Sequence, residues 1–218
     1  MPDYRRNRIP GGTYFFTVNL LDRTRPLLTD NIDTLRKSVR RVRELMPFHI
    51  DAWVVLPDHM HTLWTLPEGD ADFPKRWQAI KMAFSRTIPL GEPMSPNARA
   101  RHERGIWQRR YWEHTIRNDH DYAAHMDYIH FNPVKHGLAP TPSAWPFSSF
   151  HTCVTRGLYP PDWTTPTPEP PHQGEPEPSW GGMPSAFRHL AEARPRPLPT
   201  RLDHPIPEPP HQGEPEPS

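Results

Sequence analysis

Among 218 residues there is one cysteine, Cys153, so the chain can form no internal disulfide and has no Cys-x-x-Cys pair for a structural zinc site. No run approaches the ~18 apolar residues of a membrane span, and the opening MPDYRRNRIPGG has no apolar signal core. These absences predict a reducing, cytoplasmic setting and no membrane partner. Hydrophobic residues are also scarce, at 34%, while prolines number 32, a balance that argues against one compact body throughout. The shortage is local. Eighteen prolines fall in residues 160–218; residues 161–218 carry 4 Lys and Arg against 9 Asp and Glu, and residues 1–160 carry 22 against 16. The formal net charge of +1 therefore hides a basic front part and an acidic tail. Such a front part suits a polyanionic partner or a solvated surface, and charge alone does not separate the two.

The tail contains PEPPHQGEPEPS twice, at Pro168–Ser179 and Pro207–Ser218. Repeats can stack into a solenoid, but these copies of Pro, Glu and Gly offer no apolar face to stack, which predicts a disordered, extended tail over 164–218. Between them WGGMPSAFRHLAEA, residues 180–193, fits a short docking helix or a passive linker. Residues 1–163 are then the catalytic or binding domain.

In that front part TYFFTVNL, residues 13–20, follows Gly11-Gly12 and is rich in β-branched and aromatic residues, which predicts a first strand. From Asp30 to Met46, Ile32, Leu35, Val39, Val42 and Leu45 recur at helical spacing. FHIDAWVVL and HMHTLWTL are strand-like runs joined by Pro57-Asp58, a turn short enough only for an antiparallel hairpin. A second helix is predicted over 72–88, a fourth strand over 106–117, and a last helix over 119–131 that stops before Asn132-Pro133. The order β-α-β-β-α-β-α predicts an α+β, ferredoxin-like βαββαβ antiparallel sheet with helices on one face, plus an added C-terminal helix. Such a sheet leaves its other face free for a ligand, and one use of that face is to bind single-stranded nucleic acid.

LPDHMHTLW, residues 56–64, places His59 and His61 two apart on the predicted strand, so both project from one face. Two imidazoles on one face can converge on one metal ion, or can be ordinary polar residues of a half-buried strand. The last predicted helix offers Tyr122, His125, Tyr128, His130 and Asn132. Tyr128 and Asn132 are four apart and share a helix face. Read alone, they are either partners in a site or a packing residue and a helix cap.

YRR at Tyr4, GGTYFFTVNL, AWVVLPDHMH, WTLPEGD, IWQRRYWEH, DYIHFNPVKHG and WPFSSFH together resemble the REP-associated tyrosine transposases, relatives of the HUH-class transposases that work on single-stranded DNA. The resemblance spans roughly residues 3–163 and has no counterpart to the repeated tail. Carried over position by position, it implies that His59, His61 and Asn132 are metal ligands and that Tyr128 is the nucleophile, with Tyr122 the weaker competitor. It implies Mg²⁺ or Mn²⁺, and cleavage of single-stranded DNA at REP hairpins through a 5′-phosphotyrosine, leaving a 3′-hydroxyl that can later rejoin strands.

The residue types suit that chemistry. A divalent ion neutralises phosphate charge as a Lewis acid, and a tyrosine hydroxyl, with an unperturbed pKa of about 10, needs a nearby cation or base before it attacks well. For DNA contacts the candidates are Tyr4, Arg5, Arg6 and Arg8, then Arg109 and Arg110, then Lys135 and His136. In the family the first group helps read a short sequence beside the hairpin. Two rival readings are a non-catalytic single-stranded nucleic-acid-binding protein derived from a transposase, and a zinc hydrolase of small phosphate esters. The latter lacks a third His or a carboxylate at an obvious ligand spacing.

Deleting residues 168–218 is expected to leave hairpin cleavage nearly intact, because the Pro-Glu repeats have too little apolar surface to belong to a core. Labelled single-stranded DNA resolved on a denaturing gel, with a thermal melt of parent and truncated chain, checks this. A large loss of cleavage or a lower Tm would place the domain boundary elsewhere.

Overall fold

The computed structural model of the chain describes residues 7–89 and 105–164. Tyr4, Arg5, Arg6, both tail repeats and the 180–193 segment lie outside them. The elements are β1 (Thr13–Asn19), α1 (Leu27–Asp30), α2 (Ile32–Leu45), β2 (His49–Val55), β3 (His59–Thr65), α3 (Phe73–Thr87), β4 (Trp112–Thr115), α4 (Asp119–Lys135), a 3₁₀ turn (Pro142–Ala144) and α5 (Phe150–Thr155). The four strands pair antiparallel in the order β2-β3-β1-β4, the arrangement of a split βαβ sheet.

Strand alternation sorts side chains onto two faces. Tyr14, Phe16 and Val18 of β1, Trp53 and Val55 of β2, and Met60 and Trp64 of β3 meet α2 and α3 in one buried cluster. Aromatic packing dominates there: Trp64 stacks on Trp77 of α3 at 4.2 Å and 15°, and Phe48 lies 4.2 Å from Trp64. Asp72 caps α3 by accepting from the Lys75 N–H. Arg76 is buried beside it and ties the helix down, donating to Asp70 and to the carbonyls of Met46 and Pro47.

The second face is not open. Phe15, Ala52, Val54 and Leu63 pack against Met126 and Ile129 of α4, Phe150 and Cys153 of α5, and then Tyr159 and Trp163. Residues 147–149 run along the edge of β2, with Val55 N–H donating to Phe147 O and Ser149 N–H to Trp53 O, so that edge is covered as well. Sequence periodicity missed these short pieces because neither α5 nor the 3₁₀ turn is long enough to show a period.

Two boundaries differ from the sequence reading. The fourth strand is confined to Trp112–Thr115, with a lone bridge from Trp107 to Leu20. Consecutive Arg109 and Arg110 are both exposed, which an alternating strand with one buried face cannot accommodate. The last helix, in turn, continues through Asn132-Pro133 to Lys135. Proline removes one N–H donor and its ring presses on the carbonyl four residues back, but Pro133 sits in the last turn, which capping bonds just beyond it close. Those bonds are Gly137 N–H to Val134 O and Leu138 N–H to Pro133 O, a Schellman closure with Gly137 at φ 67°.

His130, fully buried between α4 and α5, bonds Ser149 Oγ at 2.9 Å, and burial pushes its pKa down to about 3. Its unfolded value is near 6.5, so between those values the unfolded chain holds the extra proton. Stability is then full above about pH 6.5 and falls as pH drops toward 3, by up to ~1.4 kcal/mol per pH unit for this proton. Urea midpoints at pH 7, 6 and 5 are expected to fall, and His130→Gln should flatten the slope. An unchanged slope would mean that His130 does not contribute.

Candidate active site

β1 and β3 pair so that Thr17 lies opposite His61 and Asn19 opposite His59. His59 and His61 project toward α4, their rings 5.0 Å apart and nearly perpendicular. Each is oriented through Nδ1: that of His59 donates to Asp58 Oδ1 at 2.7 Å, and that of His61 lies 2.9 Å from Thr17 Oγ1. With the Thr17 hydroxyl accepting from Nδ1, the lone pair of His61 stays on Nε2, which is buried and has no hydrogen-bond partner among the described residues. Burial lowers the pKa of both imidazoles, that of His61 well below the usual value, so they are neutral, the form that binds a metal. Asp58 also holds Arg23, whose Nε is 2.5 Å from Oδ2.

From the other side α4 presents Tyr128, Asn132 and His136 at intervals of four. The Tyr128 ring stands 5.2 Å from His61, and the His136 ring 5.2 Å from His59. Asn132 lies on the turn between them, fully buried, and among the described residues neither its Oδ1 nor its Nδ2 has a hydrogen-bond partner. An amide left so is costly in a dry interior, and together with His61 Nε2 it makes a donor set suited to a cation. Lys135 places Nζ 5.2 Å from the centre of the Tyr128 ring, a positive charge beside the phenol.

Tyr122 is placed differently. It lies nearly two turns earlier, half-buried, with its hydroxyl donating to Asp51 Oδ1 at 3.1 Å in the bulge of β2. Burial first, then the Asp51 carboxylate, raises its pKa. That environment opposes the phenolate a nucleophile needs.

Of the sequence candidates, His59, His61, Tyr128, Asn132, Lys135 and His136 are brought together. Arg109 and Arg110 are exposed just before β4; Gln108 N–H bonds Asn19 O, so they flank the same end of the sheet as His59, which pairs with Asn19. Arg8 is exposed ahead of β1. Sequence reasoning missed Thr17 and Asp58, the partners that orient the histidines, although Asp58 adjoins His59 in the chain. It also missed Arg23 and Arg25. With Pro57, Asp58, His59 and His136 these two arginines line an open cleft of about 270 Å³ beside the histidines. DRTR, residues 22–25, was the available signal. A third missed group is His114, Asp121 and His125, whose ligand-type atoms lie within 4.8 Å of one another. Among the described residues no helix is long and apolar enough to cross a membrane.

No family model matches the chain. A REP-associated tyrosine transposase from Escherichia coli (strain K12) is 52% identical over 163 residues, covering 75% of this chain and 91% of that protein. A relative under the same family designation from Haemophilus influenzae is 46% identical over 164 residues, covering 75% and 93%. The solved structure of a REP-associated tyrosine transposase bound to a REP hairpin matches with a TM-score of 0.67 at 50% identity, over 78% of this chain and 94% of that one. Identity at this level, over nearly the whole length of each relative, means that this chain belongs to the REP-associated tyrosine transposases.

Proposed function

We propose that residues 1–163 nick and rejoin single-stranded DNA beside REP-type hairpins, in the cytoplasm where the chromosome lies, with Tyr128 as nucleophile. The observation that carries this reading is the convergence of the Tyr128 ring on His61 while His61 Nε2 and the Asn132 amide remain buried without hydrogen-bond partners. The related transposase bound to a REP hairpin supports the substrate class.

His59, His61 and Asn132 fit a divalent ion, which would supply Lewis-acid neutralisation of the scissile phosphate; two imidazoles and one amide oxygen do not choose the metal, and it is the family resemblance that points to Mg²⁺ or Mn²⁺. The chain's own groups do the rest. Thr17 and Asp58 fix the imidazole orientations so that the histidines need no reorganisation. The Tyr128 oxygen attacks phosphorus as its proton is lost, with Lys135 favouring the phenolate. The phosphorus bond to the 3′ oxygen breaks, that oxygen takes up a proton, and the 5′ phosphate stays on Tyr128. Rejoining is the reverse: a 3′-hydroxyl attacks the phosphotyrosine and the Tyr128 hydroxyl is restored, with no external energy source. Tyr4, Arg5, Arg6, Arg8, Arg109, Arg110, Lys135 and His136 are the proposed DNA contacts, joined by Arg23 and Arg25, whose cleft leads to His59.

Tyr128→Phe removes one oxygen and keeps the ring, so hairpin binding in a shift assay should persist while nicking and the covalent adduct disappear. Tyr122→Phe should still cleave, at a stability cost of about 1 kcal/mol for the lost Asp51 hydrogen bond. An adduct formed by Tyr128→Phe and absent from Tyr122→Phe would reverse the assignment. Binding without adducts from parent or either mutant would favour a non-catalytic DNA-binding protein.

His59→Ala and His61→Ala are each expected to abolish Mg²⁺- or Mn²⁺-dependent cleavage while the domain stays folded by circular dichroism. Full cleavage by either variant at matched metal would remove that residue from the ligand set.

A further inference from the structure

Tyr128 shares α4 with a second histidine cluster that the proposed chemistry does not use. Asp121, His125, Tyr128 and Asn132 follow one another at four, three and four residues, a single stripe along the helix. The stripe faces the sheet. The rings of His125 and Tyr128 lie 4.7 and 5.8 Å from that of Phe15 in β1, and Phe15 in turn lies 5.5 Å from His61. At the N-terminal end of the stripe the Asp121 carboxylate spans two buried imidazoles. Its Oδ2 accepts from His114 Nε2 of β4 at 2.8 Å, and its Oδ1 lies 3.0 Å from His125 Nδ1. The two rings stack at 4.7 Å and 14°. Oδ2 also accepts from the Arg117 N–H at 3.0 Å, which binds the turn between β4 and α4 to the same carboxylate.

The cluster has the composition of a metal site but the spacing of a hydrogen-bonded one. Donors around an ion with ~2.0–2.1 Å bonds sit ~3.3 Å apart in a tetrahedral site. Here the contacts to the carboxylate are shorter, and His125 Nδ1 also donates to the Asp121 carbonyl at 2.8 Å, so that nitrogen has no lone pair for an ion.

We propose that His114, Asp121 and His125 form a positioning latch that sets the rotation and axial register of α4 on the sheet, and thereby seats Tyr128 against His61. The contacts of α4 with Val54, Leu63 and Phe150 are apolar and non-directional. The hydrogen bonds that the Asp121 carboxylate accepts from His114 of β4 and from the Arg117 N–H are directional, and add a preferred angle that apolar packing alone does not set. Asp121 lies seven residues before Tyr128, two helical turns, so a rotation at the latch carries straight to the phenol. A displacement near 1 Å at a reacting group can cost about 100-fold in rate. The latch rests on Tyr128 being the nucleophile.

The test uses the full chain, labelled single-stranded DNA with a REP-type hairpin, and Mn²⁺, under single-turnover conditions. Asp121→Ala is expected to slow covalent adduct formation at saturating protein by about 10- to 100-fold while Kd for the same DNA changes by less than about twofold. Asp121→Asn, with its amide oxygen in the place of Oδ2, still accepts from His114 Nε2 and from the Arg117 N–H, so it should restore the rate to within about fivefold of the parent. Ile80→Ala, in the opposite layer, controls for lost stability and should leave the rate unchanged at a temperature where all variants are folded. The latch is overturned if Asp121→Ala cleaves as fast as Ile80→Ala, if Asp121→Asn is as slow as Asp121→Ala, or if the purified parent holds stoichiometric zinc that Asp121→Ala loses. Tyr128→Phe is run beside them: an adduct that survives it overturns the nucleophile assignment beneath the latch, whereas its absence with normal Asp121→Ala kinetics overturns the latch alone.

Discussion

A slip of one residue between β1 and β3 would turn His59 and His61 away from α4 and bury them among the aromatic rings under α2 and α3. The antiparallel register that opposes Thr17 to His61 therefore governs the rest of the site. It is held from both directions. On one face Tyr14, Phe16, Met60 and Trp64 must enter the same apolar cluster, and on the other Phe15 and Leu63 must meet α4. The Thr17 hydroxyl against His61 Nδ1 is a product of that register, and so is the neutral imidazole with its second nitrogen turned inward.

Covering the second face of the sheet changes what the fold can do. An open sheet would offer a broad surface to a strand of nucleic acid, whereas here α4 closes most of it and leaves polar groups at one end. The core bears a cost for them. The Asn132 amide and the His61 Nε2 atom are desolvated without hydrogen bonds from the described residues, a situation worth roughly 1–3 kcal/mol per group against folding. A stable domain retains such groups where a ligand completes them, and this is the physical reason to look for the proposed chemistry at that end.

The charges around that end have a common sense. Arg23 and Arg25 border the histidines and Lys135 stands beside Tyr128, His136 being held below the usual imidazole pKa by burial, while Asp58, the nearby carboxylate, is already engaged by His59 and Arg23. A phosphate approaching the cleft meets a positive rim with the local anion paired, which suits a polyanionic strand and disfavours a carboxylate-rich partner.

From the sequence alone the succession of four strands along the chain, the hairpin turn at Pro57-Asp58 and the shared face of His59 and His61 were determined, because periods of two and 3.6 residues are local properties of the chain. The i, i+4 relation of Tyr128 to Asn132 was local too, and it survived a misplaced helix end because proline halts a helix in the sequence rules but not at a well-capped last turn. The tertiary structure decided what depends on contacts between distant segments. Thr17 oriented His61 across 44 residues, Asp51 took the Tyr122 hydroxyl across 71, and Arg23 reached Asp58 across 35. Nor could spacing reveal that His114 of β4 meets Asp121 and His125 of α4, since only the i, i+4 half of that group lies on one element. Side chains on separate elements become neighbours through the packing of whole faces, and that packing has no period in the sequence.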